Sequence, residues 1–170
     1  MDAITMAIDT SQLTRTELWQ LLTLWRNGRH GRDIPAVGGL CPVDVAPFLG
    51  HIVIVEVEER TDRIRFLQMG RELTPVFGED MVGRYLDQMP LALRGHVEES
   101  YRTMMAERAP QYAEFEVAGD SWMVIFERLM LPFCDPATDR VAGAMVAIYP
   151  RISIRKRATE ADRAEESVAA

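Results

Sequence analysis

The sequence predicts an α+β domain built on five strands, two before a block of helices and three after it. Three observations predict it. From Gln111 to Tyr149 the chain reads as three strands, QYAEFEV, SWMVIFERLML and RVAGAMVAIY, separated by the short polar turns AGD and FCDPATD. Two further strand-like runs, HIVIVEVE and RIRFLQM, lie upstream. Between pair and triplet, Arg94 to Arg108 carries Val97, Tyr101, Met104 and Met105 at i, i+4, i+7 and i+8, the spacing of one helix face.

The chain's 170 residues fit one domain with a tail, enough to bury a sizeable core. A net charge of −7 argues against non-specific binding to nucleic acid or anionic membrane. No apolar run reaches the roughly 20 residues of a membrane span. MDAITMAIDTSQ is acidic and lacks the basic and apolar regions of a signal peptide, so a cytoplasmic location is expected. Cys41 and Cys134 make no disulfide framework and are expected as free thiols.

In chain order, residues 1–13 read as a flexible N-terminus, 14–50 as a helix and connection, 51–150 as the core, and 151–170 as a polar tail. Thr14 with Glu17 three residues on forms a capping-box pattern. Leu18, Leu21, Leu22 and Trp25 then mark one helix face, and Asn27-Gly28 a C-terminal stop. Leu13, Trp19 and Leu24 fall off that stripe. So wide an apolar surface suggests a second subunit, with Leu18, Trp19, Leu22 and Trp25 at the interface. Pro42 opens a short helical turn. The centre of strand one, IVIV, is apolar on both sides, so both sheet faces should be covered. EERTDR turns the chain into strand two, Ile64 to Met69. RELTPVFG reads as a short helix broken at Pro75 and closed at Gly78, and MVGRYLDQM as another helical piece. Ala109-Pro110 ends the main helix. Strand three alternates, with Ala113, Phe115 and Val117 on one face. Strand four is expected to stop at Pro132 and strand five at Pro150.

Several short strings carry a family likeness: LLTLWR at 21–26, PVDVAPFLGHIVIVEVE, RFLQMGRELTPVFGEDMVGRYL, ERLMLPF at 127–133 and AGAMVAIY. Over about residues 15–150 the sequence resembles the PAS superfamily, in particular its short stand-alone bacterial members. The resemblance implies a five-stranded antiparallel sheet with helices on one face and an N-terminal flanking helix. It implies a sensory or protein-interaction role and no reaction.

In such a fold the middle helices can leave a cavity over the sheet. Tyr101, Met104 and Met105 would face Phe115, Trp122 and strands four and five, around a small apolar ligand or simply filling the space. Arg128, inside an apolar strand, either anchors a ligand's acidic group or is answered by solvent, Glu127 or Glu114. His96 lies where haem-binding relatives carry their iron ligand, so it is the cofactor residue only in a haem reading. RFLQ at 65–68 resembles a string of flavin light sensors, but it falls on a strand and Ile64 precedes it, so no flavin–cysteine adduct is expected. No GxSxG, GxxxxGK or GxGxxG occurs, and no His, Cys or carboxylate spacing suggests a metal. The basic RISIRKR run is followed by acidic residues and does not read as a nucleic-acid site.

The expectation is therefore a non-catalytic, cytoplasmic sensory or interaction domain. It would form a homodimer, engage a signalling protein and take a small apolar or acidic ligand, with no resident cofactor. A haem or flavin sensor is the alternative. A cone-shaped α+β isomerase or hydratase ranks below it, because no strand carries a compelling acid.

Overall fold

The computed structural model describes residues 12–89, 91–118 and 123–152. Helix α1 spans Thr16–Asn27, α2 is the short turn Pro42–Val45, and a 3₁₀ stretch Ala46–His51 leads into β1, Ile52–Val57. β2 is Ile64–Met69, α3 is Thr74–Phe77, and a 3₁₀ turn Leu86–Gln88 precedes α4, Leu91–Glu107. β3 (Gln111–Ala118), β4 (Met123–Cys134) and β5 (Val141–Ile152) follow. The strands form one antiparallel sheet in the order β2-β1-β5-β4-β3.

Side chains alternate across a strand, and this sheet uses both faces. On one face Val53 and Val55, Phe126 and Met130, and Val146 and Ile148 pack beneath α4 residues Tyr101 and Met104. On the other, Ile52, Leu129, Leu131, Met145, Ala147 and Tyr149 pack beneath Leu18, Leu21, Leu22 and Trp25 of α1. The doubly apolar IVIV run is thereby explained: its residues divide between two cores. The helices expected on one face are joined by α1 and α2 on the opposite face.

This arrangement corrects the interface expected on α1. Leu18 and Leu22 are fully buried within the chain and Trp25 is 2% exposed, with its indole Nε1 donating to the Pro132 carbonyl at 2.7 Å. Leu13 is buried and Leu24 partly buried against the same core, so most of the wide apolar surface is used within the chain. Of the four interface candidates only Trp19, 38% exposed, is open to a partner.

The capping box is not formed. α1 starts at Thr16 behind Arg15 with no side-chain cap, and the Thr14 hydroxyl donates to the Glu127 carboxylate of β4 instead. Pro75 lies in the first turn of α3 and does not break it, as suits a residue without an N–H, and Gly78 closes the helix in the left-handed region at φ 78°.

Both strand-ending prolines lie inside strands. Pro132 pairs with Ala144, but the last β3 partner of β4 is Met130, opposite Gln111. Pro150 pairs with Phe126, but the last β1 partner of β5 is Ala147, opposite Ile52. Each proline therefore sits where its strand has a single neighbour, the position at which a missing donor is tolerated.

Candidate functional site

A cleft of about 620 Å³ opens between α4 and β3 and reaches the sheet. Its floor is apolar: Val53, Phe66, Val146 and Ile148, with Phe77, Met89 and Val97 as walls. Its volume lies within the range of small-molecule pockets. Tyr101, Phe115 and Arg128, three of the expected pocket residues, line it. Met104 and Met105 are not among the lining residues. Met104 is fully buried in the core and Met105 packs against it, so these side chains fill space beside the cleft. Trp122 lies outside the described residues, and so does the side chain of His96, whose backbone belongs to α4.

Alternation along β4 decides where Arg128 points. Phe126, Arg128 and Met130 share the α4 face, whereas Glu127, Leu129 and Leu131 share the α1 face. Arg128 therefore does not pair with Glu127. Nor does it pair with Glu114, whose carboxylate accepts from Arg151 at 3.0 Å and from the Tyr112 hydroxyl at 3.1 Å. Arg128 is 8% exposed, so it does not reach out to solvent. Its Nη2 donates to Ser100 Oγ on α4, its guanidinium lies 5.9 Å from the Phe115 ring centroid, and its buried Nε has no hydrogen-bond partner.

The electrostatics follow from that burial. Desolvation pulls the Arg128 guanidinium below its usual range, opposed by Tyr101. Burial likewise pushes the Tyr101 phenol well up, with Arg128 pulling the other way. A guanidinium stays charged in a protein, so the cleft holds a cation with no carboxylate against it among the described residues. Sequence reasoning found Arg128 but missed Ser100 as its partner. Only the helix register could have indicated it, since Ser100 precedes Tyr101 on the face turned to the sheet.

A second groove, of about 880 Å³, lies on the α1 face between residues 37–49 and strands β1, β2 and β5. It is the larger of the two, but most of its charged groups are already engaged. Glu56 pairs with Arg65 and Asp62 with Arg140, while Asp135 accepts from Ala137 and Thr138 in its own turn. Its exposed apolar residues, Val37, Leu49 and Leu67, suit a surface contact better than an enclosed ligand. The RFLQ string, Arg65–Gln68, lies on β2, as expected. Among the described residues no cluster of His, Cys, Asp or Glu is placed to hold a metal ion, and no helix is long and apolar enough to cross a membrane.

No match is found among curated proteins. Among solved structures, the chain is similar to the PAS domain of BvgS from Bordetella pertussis, at 19% identity over 75% of this chain and 92% of that one, with a TM-score of 0.49. It is similar to the PAS domain of the histidine kinase ThkA, at 17% identity over 58% and 95% of the two chains, with a TM-score of 0.44. An RNA-binding light-oxygen-voltage receptor follows at 15% identity, 70% and 34% coverage and a TM-score of 0.42. A family model described as PAS domain matches residues 13–146. The chain belongs to the PAS domain family.

Proposed function

We propose that this PAS domain is a non-catalytic sensory module that admits a small molecule to the cleft between α4 and β3. Occupancy would be passed to a partner through the N-terminal helix. The observation that carries this reading is Arg128: a buried cation with an unpartnered Nε on the wall of an apolar cleft. Burying a charge without a counter-charge is costly, and a ligand supplies the missing contact. The route outward is short. β4 carries Arg128 on one face and packs beneath α1 on the other, so a shift of β4 is felt by both. The partner is a second copy or a cytoplasmic signalling protein, meeting the exposed apolar side chains Trp19 and Val43 (38% and 76% exposed) near α1. Neither membrane nor nucleic acid enters this role.

A native mass spectrum of the purified chain tests the reading. The expected result is a bound small molecule released on activation, or taken up from a cell extract, together with the oligomeric state. A bare chain before and after exposure to extract would count against a ligand-sensing role.

A further inference from the structure

Building on the ligand reading above, we infer that the cleft selects an amphipathic monoanion: an organic carboxylate with an aromatic or aliphatic body, its charged end on Arg128. Three features of the cleft lead to this class. The first is the guanidinium. It offers five N–H donors in a planar fork that matches a carboxylate. Ser100 accepts from Nη2, and Nε is buried without a partner. A hydroxyl can accept a hydrogen bond from this cation but cannot neutralise it, whereas a carboxylate does both.

The second feature is that Arg128 is the single basic side chain among the described residues lining the cleft. A dianion would bring a second charge into the same apolar space without a partner, and its desolvation would oppose binding. Two of the carboxylates lining the cleft are themselves paired, Glu99 with Arg102 and Glu114 with Arg151, and do not engage Arg128. One negative charge is what the cleft can answer.

The third feature is the apolar floor. Val53, Phe66, Val146 and Ile148 reward a hydrocarbon body, and Phe115 adds a ring beside the cation at 5.9 Å. A bare ion such as acetate or phosphate would leave that surface uncovered. Charge at one end and carbon at the other is the complement of this lining.

Calorimetric titration of the full chain distinguishes the possibilities. The probes are hydrocinnamate and octanoate, their neutral counterparts hydrocinnamyl alcohol and octanol, and succinate. The acids are expected to bind at least about tenfold more tightly than the alcohols, as loss of a charge-assisted, desolvated contact implies, and succinate is expected to give no heat. Arg128→Met should abolish the preference for acids, while Arg128→Lys should retain part of it, because the charge stays and the fork is lost. Arg128→Met removes a buried charge that has no carboxylate, so its thermal midpoint should stay level or rise. Alcohols binding as well as acids, or acids binding Arg128→Met undiminished, would overturn the monoanion assignment and leave the ligand-sensing role intact. If none of the probes binds, the monoanion assignment falls, and the ligand-sensing role is decided separately by the native mass spectrum.

Discussion

Glu127 and Arg128 are consecutive residues of β4, both buried, and each is answered on its own face of the sheet. Glu127 is fully buried beneath α1, where its Oε1 accepts from the Thr14 hydroxyl and its Oε2 has no partner. Arg128 turns into the cleft and donates to Ser100 on α4. Opposite charges one residue apart in a strand point away from each other by the period of two. They do not neutralise one another. The N-terminal segment and the cleft are thus both tied to one short stretch of backbone.

Thr14→Val tests the first of these ties. It removes the donor to a buried carboxylate, leaving both oxygens without a partner, and should destabilise the fold by about 1–3 kcal/mol. Glu127→Leu removes the charge itself and should fall within about 1 kcal/mol of the parent, since an apolar side chain suits the α1 core. Urea denaturation measures both. Equal stability of Thr14→Val and the parent would show that Thr14 does not compensate Glu127.

Substitutions on α1 should separate folding from association. Trp25→Ala empties a fully packed site and orphans the Pro132 carbonyl, a loss of about 3–5 kcal/mol. Leu18→Asp, which places a charge in the core, should abolish the cooperative unfolding transition. Trp19→Glu loses one indole hydrogen bond, 3.2 Å to the Leu13 carbonyl, and should cost no more than about 1.5 kcal/mol. Sedimentation of Trp19→Glu is therefore the clean test of self-association through this helix. An unchanged dimer would exclude Trp19 from the interface.

Much of this architecture is legible in the residues, and the failures share a cause. Element order and sheet membership follow from local patterns, because alternation and i, i+4 spacing act within one segment. The Thr14–Glu17 capping pattern failed because a tertiary partner, Glu127, took the Thr14 hydroxyl. Pro132 and Pro150 read as stops in sequence, but their tolerance inside a strand depends on which neighbouring strand has already ended. Leu18, Leu22 and Trp25 looked like interface residues because a one-dimensional stripe does not say whether sheet or subunit covers it. Arg128 stood out as a charge in an apolar strand, while Ser100, ordinary in sequence, gained its role from contact across the cleft.

Three glycines should respond in opposite directions to alanine. A Cβ on Gly70 would lie 2.2 Å from the Gly50 carbonyl oxygen, and one on Gly143 would lie 2.4 Å from that of Val55. Backbone must move in both cases, so each substitution should cost at least about 2 kcal/mol. Gly95, within α4, has nothing within 4 Å of the added carbon. Gly95→Ala should stabilise by about 0.5–1 kcal/mol through helix propensity. Thermal midpoints of the three variants check the set, and a stabilising Gly70→Ala would contradict the close approach of β2 to the segment before β1.

The alkaline limb of stability should carry the signature of buried phenols. Tyr149 is 5% exposed, stacked on His51 at 4.2 Å. Its phenol is pushed up from 10.0 to about 12, by burial first and the Glu17 carboxylate second, against the pull of Arg15. The folded state thus holds this proton more tightly than the unfolded chain. Its contribution is complete below the unfolded value near pH 10 and is lost as pH rises through the folded value near 12. Tyr101 acts with the same sign, its phenol raised by burial. The parent should therefore lose stability progressively above pH 10, and Tyr149→Phe, which keeps the ring and removes the proton, should flatten that decline. Thermal midpoints across this range compare the two, with phenolate absorbance reporting the ionisation itself. A parallel decline in both proteins would show that Tyr149 does not drive the alkaline transition.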